Sequence, residues 1–459
     1  MDYSAANTGL WNVVIQVGLI AIVIMVTVFL RSKLEFIRRS LMPVAVLAGF
    51  LLLILKLLRI APVDDEFMEM LVYHGLALGF IAMSLRVPEA GQKEKGGRIG
   101  LRSGAIIVSS YLVQAITGLI VTLALSYTIM PDLFKASGLL LPMGYGQGPG
   151  QANNVGSTYE ALGFGGGRSF GLAIAAAGFI VACVVGVVII NILARQGKIR
   201  SSEGGSEAPT IDFFQANDEI PVSDSIDKLS VQIALVMITY LATYLISWGI
   251  TSGLASAAPG LAATLNTLIW GFNFIFGSAV AILVRVFLAN GRKNGIFMRQ
   301  YQNNYLLNRI SGFFFDIMVV AGIASIRPSD IRGLWLPFAL MVILGAVVTW
   351  FHLRYVCSKV YVGYYYEGLI SMYGMMTGTI SSGVLLVREI DPDLKTPAAG
   401  NLVVGSTFAI LLGAPILVLV GLAPRSTMMC FATLGIAVVY LGIMLLIILK
   451  AGGTQGAKD

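Results

Sequence analysis

One property limits what this chain can fold into: it returns repeatedly to apolar runs of about 20 residues. That is the length a helix needs to cross a hydrocarbon core of ~30 Å. Such runs occupy 10–30, 41–57, 172–193, 262–284, 334–351, 402–422 and 429–449. A water-soluble surface cannot be assembled from this material. Of 459 residues, 57% are hydrophobic and 12% charged, and the mean hydropathy is +0.83. Residues 1–30 read as a first membrane helix rather than a cleavable signal, because Asp2 precedes the run and the positive charges follow it.

The reading is all-α and polytopic, with about eleven crossings at 10–30, 41–58, 67–86, 102–129, 169–194, 230–250, 262–285, 305–326, 333–353, 400–423 and 428–449. Basic residues fall in short loops: Arg31, Lys33, Arg38 and Arg39; Lys93, Lys95, Arg98 and Arg102; Arg195, Lys198 and Arg200; Arg292, Lys293 and Arg299. By the positive-inside rule these loops are cytoplasmic, and the acidic loop with Asp64, Asp65 and Glu66 is external. The N-terminus is expected outside and the C-terminus in the cytoplasm. The net charge of +7 is thus explained by topology, without a nucleic-acid partner. Cys183, Cys357 and Cys430 lie in or beside apolar segments and form no CxxC, and His74 and His352 have no ligand cluster around them, so packing roles are expected. The segment 200–228 is acidic and rich in Gly, Ser and Pro, which fits a cytoplasmic linker.

Two polar stretches resemble one another. "YGQGPGQANN" begins at Tyr145 and "YGMMTGTISS" at Tyr373, an offset of 373 − 145 = 228. The same offset carries 41–58 onto 269–286, 102–129 onto 330–357 and 169–194 onto 397–422, each overlapping an apolar window. The third crossing lands less well, at 295–314 against 305–326, so an insertion is expected there. The chain therefore reads as two repeats, 1–199 and 229–424, followed by an additional helix and tail at 425–459. Each repeat holds five crossings, an odd number, so the second is inverted relative to the first. Both polar stretches fall between the fourth and fifth crossings of a repeat. A full crossing at 138–163 would leave Arg195, Lys198 and Arg200 outside. Re-entrant hairpins resolve this, 138–163 entering from outside and 361–390 from the cytoplasm, with their tips meeting.

Broken backbone within a bilayer is tolerated only when protein shields it or it lines a wet cavity. The pairs Asn153-Asn154 and Ser381-Ser382 are of N-cap type, which predicts a helix N-terminus at each tip. Such an N-terminus presents free N–H groups to a carboxylate, and broken backbone presents carbonyls to Na⁺. Gly146, Gly148, Gly150, Gly374 and Gly378 would permit tight turning or, alternatively, close helix packing. Asp316 lies well inside an apolar run and is either a coupling carboxylate for a cation or proton, or a partner of Arg309. Gln114 could reach a tip or bridge helices; Arg388 could attract an anion or snorkel to the interface. "GFGGGRS" at Gly163 lacks the Lys-Ser/Thr ending of a phosphate loop. No paired carboxylate, HExxH or nucleophile–His set points to an enzyme, and no organic cofactor is expected.

With these features in place, the chain over roughly 10–423 resembles the bacterial sodium/glutamate symporter family, the ESS family. The residues that carry the resemblance are "GQGPGQAN" from Gly146, Gly374 and Gly378 in the second stretch, and "MPVAVLAGFLLLILK" from Met42. The resemblance implies a bacterial inner membrane, inverted five-helix repeats with opposed hairpins, a homodimer, and elevator-type cotransport of glutamate or a related carboxylate with Na⁺. It places the substrate at Gln147, Gly148, Gly150, Gln151, Asn153, Asn154, Thr377, Gly378, Thr379, Ser381 and Ser382. It places the ion near Tyr373, Gly374 and Thr377, to which Asp316 is added from its position. The family has histidine at the position of Gln147 and Gly-His at Ser371-Met372, so the carboxylate is open. A proton-coupled carrier, a Na⁺/H⁺ antiporter and, in a different class, an ion channel are the alternatives.

Overall fold

The computed structural model describes residues 2–4, 6–35, 42–87, 92–199, 228–257, 269–270, 273–297, 299–391 and 395–450, the side chains of 92–96, 257 and 381 excepted. The expected linker at 200–228, all but its last residue, lies outside these residues, as do the basic loop residues Arg38 and Arg39.

The described residues form helices joined by short connections: α1 (Thr8–Lys33), α2 (Val44–Leu57), α3 (Asp65–Leu85), α4 (Gln92–Thr128), α5 (Leu140–Tyr145), α6 (Pro149–Ala161), α7 (Gly167–Arg195), α8 (Lys228–Ala257), α9 (Asn273–Lys293), α10 (Asn304–Ala324), α11 (Trp335–Val360), α12 (Tyr365–Thr377), α13 (Ile380–Arg388), α14 (Ala398–Leu422) and α15 (Thr427–Lys450). Ten of them are long and apolar enough to cross a membrane, and an eleventh, α2, is apolar but only 14 residues long. The chain is a polytopic helical protein.

Helix boundaries follow local chemistry. Asn7 caps α1 by accepting from the Leu10 N–H at 3.1 Å, and Asp64 caps α3 by accepting from the Phe67 N–H at 3.2 Å. Pro149 occupies the first turn of α6, where its missing N–H costs nothing.

The chain divides into two compact units, 1–69 with 91–206 and 320–459, and 70–90 with 207–319. Neither unit is one of the sequence repeats, since each takes segments from both.

In the larger unit, α4 is mostly buried and packs against α11, α14 and α15. Gly118 of α4 meets Gly138 backbone to backbone; a Cβ on Gly138 would lie 2.2 Å from the Gly118 carbonyl carbon, so only glycine fits. At the other end of α4, Arg102 donates to the Lys359 carbonyl at 2.7 Å and the Ile448 carbonyl at 3.1 Å. One guanidinium thus serves the C-terminal carbonyls of both α11 and α15, where a cation is favoured. The last helix, α15, is fastened in this way.

In the smaller unit, Leu78, Ile81, Ala82, Leu85, Val236, Ala281, Leu307 and Ile310 form a core from α3, α8, α9 and α10. Arg285 donates to the carbonyls of Ser84 and Arg86 at 3.1 and 3.0 Å, closing the end of α3.

Candidate functional site

Both polar stretches interrupt a helix, and each does so by a different device. In the first, α5 ends at Tyr145 and α6 begins at Pro149. Between them Gly148 has φ +83°, ψ −176°, a conformation that an L side chain rarely adopts. Proline at 149 further restricts the residue before it. In the second stretch, α12 ends at Thr377, Gly378 turns the chain and Thr379 is extended (φ −141°, ψ 174°) before α13.

The expected cap residues are therefore displaced. Gly148 and Thr379 stand at the N-cap positions, neither with a side-chain cap hydrogen bond. Asn153 and Asn154 lie farther along α6, and Ser381 and Ser382 lie in the first turn of α13. The cause is Pro149: it fixes a helical φ four residues before Asn153, and the helix starts there.

The two breaks come together within the larger unit. A Cβ built on Gly148 would sit 3.5 Å from Thr379 Cγ2. Gln114 of α4 joins them: its Nε2 donates to the Met376 carbonyl at 2.8 Å and to Thr349 Oγ1 at 2.9 Å. Its Oε1 lies 3.1 Å from a Cβ built on Gly146. Sequence reasoning raised Gln114 without placing it among the site residues; the available signal was the one amide within the expected crossing 102–129.

The remaining site residues are placed as follows. Gln147 is half-buried in the first break, while Gly148, Gly150, Gln151, Asn153 and Asn154 are buried. Gln151 Oε1, Asn153 Oδ1, both polar ends of the Asn154 amide, Ser382 Oγ and Gln114 Oε1 are buried without a hydrogen-bond partner. Most buried polar groups in folded proteins are paired, so unpaired polar atoms on five side chains require explanation. The other such atoms among the described residues, on Ser247, Asn273, Ser278 and Gln302, belong to the smaller unit.

On the second break, Thr377 Oγ1 donates to the Tyr373 carbonyl at 2.8 Å, and the Gly378 N–H donates to the Gly374 carbonyl at 3.1 Å. These carbonyls thus already accept within the chain. Tyr373 is buried with its ring edge-on to Trp350, and Gly378 is buried, with Ser382 Oγ 2.9 Å from a Cβ built on it. The side chain of Ser381 lies outside the described residues.

Asp316 belongs to the smaller unit and is exposed there. The expected alternative of a pair with Arg309 is not what the structure has: Arg309 lies over the Tyr305 ring at 5.2 Å. Stacking on a residue one turn back is within easy reach, whereas Asp316 is nearly two turns forward.

The segments 144–155 and 373–383 contain no Asp, Glu, Lys or Arg, so both breaks are uncharged. Charge collects instead at the far end of α6. Arg168 pairs with Glu69 and, at 3.5 Å, with Glu160. Its Nε donates to Ser157 Oγ at 2.9 Å, and Ser157 donates to the Asn153 carbonyl at 2.8 Å. Arg327 joins Glu69 at 3.4 Å and Asp65 at 3.0 Å, and Lys56 reaches Asp65 at 2.6 Å. The second arm of the first break is thereby anchored from its outer end.

Comparison with protein-family models and with curated proteins gives no match for this chain, so the functional reading rests on the geometry of the two breaks.

Proposed function

We propose that this chain is a secondary active transporter, a sodium-coupled symporter of glutamate or a related small carboxylate, with its ligands held between the two helix breaks. The observation that carries the reading is the set of unpartnered, buried polar atoms on Gln114, Gln151, Asn153, Asn154 and Ser382. Each such group costs about 1–3 kcal/mol when left unpaired, a cost that a ligand with complementary polar groups would remove. The ends of α6 and α13 at the breaks supply N–H groups and partial positive charge for a carboxylate. Amide and hydroxyl oxygens beside them suit a hard cation.

In this reading 138–163 and 361–390 are opposed re-entrant hairpins of an inverted repeat. One rigid part of a homodimer moves against the rest to carry the site across the inner membrane. The test is uptake of radiolabelled L-glutamate into proteoliposomes, with and without an inward Na⁺ gradient. The expected result is saturable accumulation above the equilibrium level, lost when Na⁺ is equal on both sides. Uptake that ignores the Na⁺ gradient but follows a proton gradient would replace the coupling ion. Flux that only equilibrates would indicate a channel.

A further inference from the structure

We infer that Gln114 is a direct ligand of the site, and that its side-chain oxygen receives a positively charged group, either Na⁺ or the ammonium of the transported molecule. The inference rests on the transporter reading above and extends it to a residue on α4, outside both breaks.

The orientation of this amide is decided by its surroundings. A main-chain carbonyl can only accept, so the group facing the Met376 oxygen at 2.8 Å must be the Gln114 nitrogen. The second donor of the same nitrogen is used by Thr349 Oγ1 at 2.9 Å. Interchanging oxygen and nitrogen would set two acceptors against each other, which removes the usual ambiguity of a glutamine amide. Oε1 is then fixed on the opposite side, toward Gly146 in the first break. Gln114 is fully buried, and this oxygen has no hydrogen-bond partner.

An amide oxygen attracts N–H donors and hard cations and repels a carboxylate. Neither break supplies a lysine or arginine to meet it. A cationic ligand group is the chemistry that fits. Because the nitrogen of the same amide holds the second stretch, occupancy at Oε1 is sensed by both breaks.

Full-length protein in detergent tests this by thermal melting. NaCl is exchanged for choline chloride at constant ionic strength, and L-glutamate or its deaminated analogue glutarate is titrated at saturating NaCl. Gln114→Met keeps the side-chain volume and removes both the oxygen and the nitrogen that holds the Met376 carbonyl, so the readout is which single midpoint moves while the others hold. If Na⁺ is the ligand, its midpoint rises about tenfold in Gln114→Met, while both organic midpoints stay within twofold. If the ammonium is the ligand, the glutamate midpoint rises about tenfold and the glutarate and Na⁺ midpoints hold. Gln114→Asn is one methylene shorter and cannot both hold the Met376 carbonyl and reach Gly146. It shifts the same midpoint and decides the matter if the methionine variant does not fold. Midpoints all within about twofold of wild type in the folded variants overturn the inference. A wild-type protein that responds to none of the three probes overturns the transporter reading, and this inference with it.

Discussion

Asn154 shows at the scale of one residue how a ligand role, as proposed, would oppose stability. It is 5% exposed, and both ends of its amide are unpartnered, so neither orientation of the group satisfies it. An apolar side chain of similar size relieves that penalty, whereas truncating only one member of a satisfied pair would create one. Asn154→Leu should therefore melt no lower than wild type, and as much as about 1–2 kcal/mol higher in stability. The L-glutamate midpoint in NaCl, read from the same melts, should rise at least about tenfold. A variant that loses stability and keeps its ligand response would show that Asn154 serves the fold instead. Asn153-Asn154 was noticeable in the sequence because amides are rare in apolar surroundings. Its position within α6 was not, because an N-cap residue and a buried ligand residue have the same composition. Pro149, four residues earlier, was the decisive local signal.

At the scale of an element, hydropathy located several apolar helices closely because a span is a property of composition over many residues. The structure has α14 over Ala398–Leu422 where 400–423 is expected, and α10 over Asn304–Ala324 where 305–326 is expected. The expected crossing 262–285 fits less well, α9 covering Asn273–Lys293 and 262–268 and 271–272 lying outside the described residues. Pairings between distant elements are different in kind. Nothing local to Arg327 announces Asp65 and Glu69, more than 250 residues away in sequence. Nor does the sequence near Gln114 reveal that Met376 and Gly146 approach it from separate stretches.

The start of α3 is an intermediate case, where an acidic loop was legible and its use was not. Asp64 accepts from the Asn12 side chain at 2.6 Å and from the Phe67 N–H, while its own N–H donates to Gln16 Oε1 at 3.0 Å. The hydrogen bond from Asn12, then that from Phe67, hold its carboxyl below the usual carboxylate range. A depressed folded-state pKa stabilises the protein above the ordinary carboxylate pKa of ~3.9, and that stabilisation is lost as pH falls through the folded value. Asp64→Ala should cost about 1 kcal/mol at neutral pH, and the difference from wild type should shrink toward zero on acidification. Thermal melts from pH 7 down to about 3 check both the size and the sign. A gap that widens at low pH would exclude the carboxylate as its source.

For the whole molecule, the distribution of charge carries most of the meaning. Acidic and basic side chains from residues 56 to 69, 160 to 168 and 327 to 330 gather at one end of the larger unit, while both helix breaks are left with amides, hydroxyls and backbone. Networks of this type contribute more than isolated surface pairs. Here they fix the outer end of α6 without bringing a charge to the site.

An uncharged site also determines what an electrode would record. If only the breaks themselves cross the membrane field during transport, and the charges at the far ends of their helices stay outside it, the breaks add no charge of their own. The current then counts passengers alone: with n Na⁺ ions and one singly charged anion, n − 1 charges cross per cycle. Each net charge couples transport to the membrane voltage by about 2.3 kcal/mol per 100 mV. Recordings on supported proteoliposomes should show no transient charge movement without Na⁺ and substrate, and a whole-number ratio of charge to substrate flux with both present. A ligand-free transient would mean that a charged side chain travels with the site. A silent one would make the membrane voltage a direct readout of coupling stoichiometry.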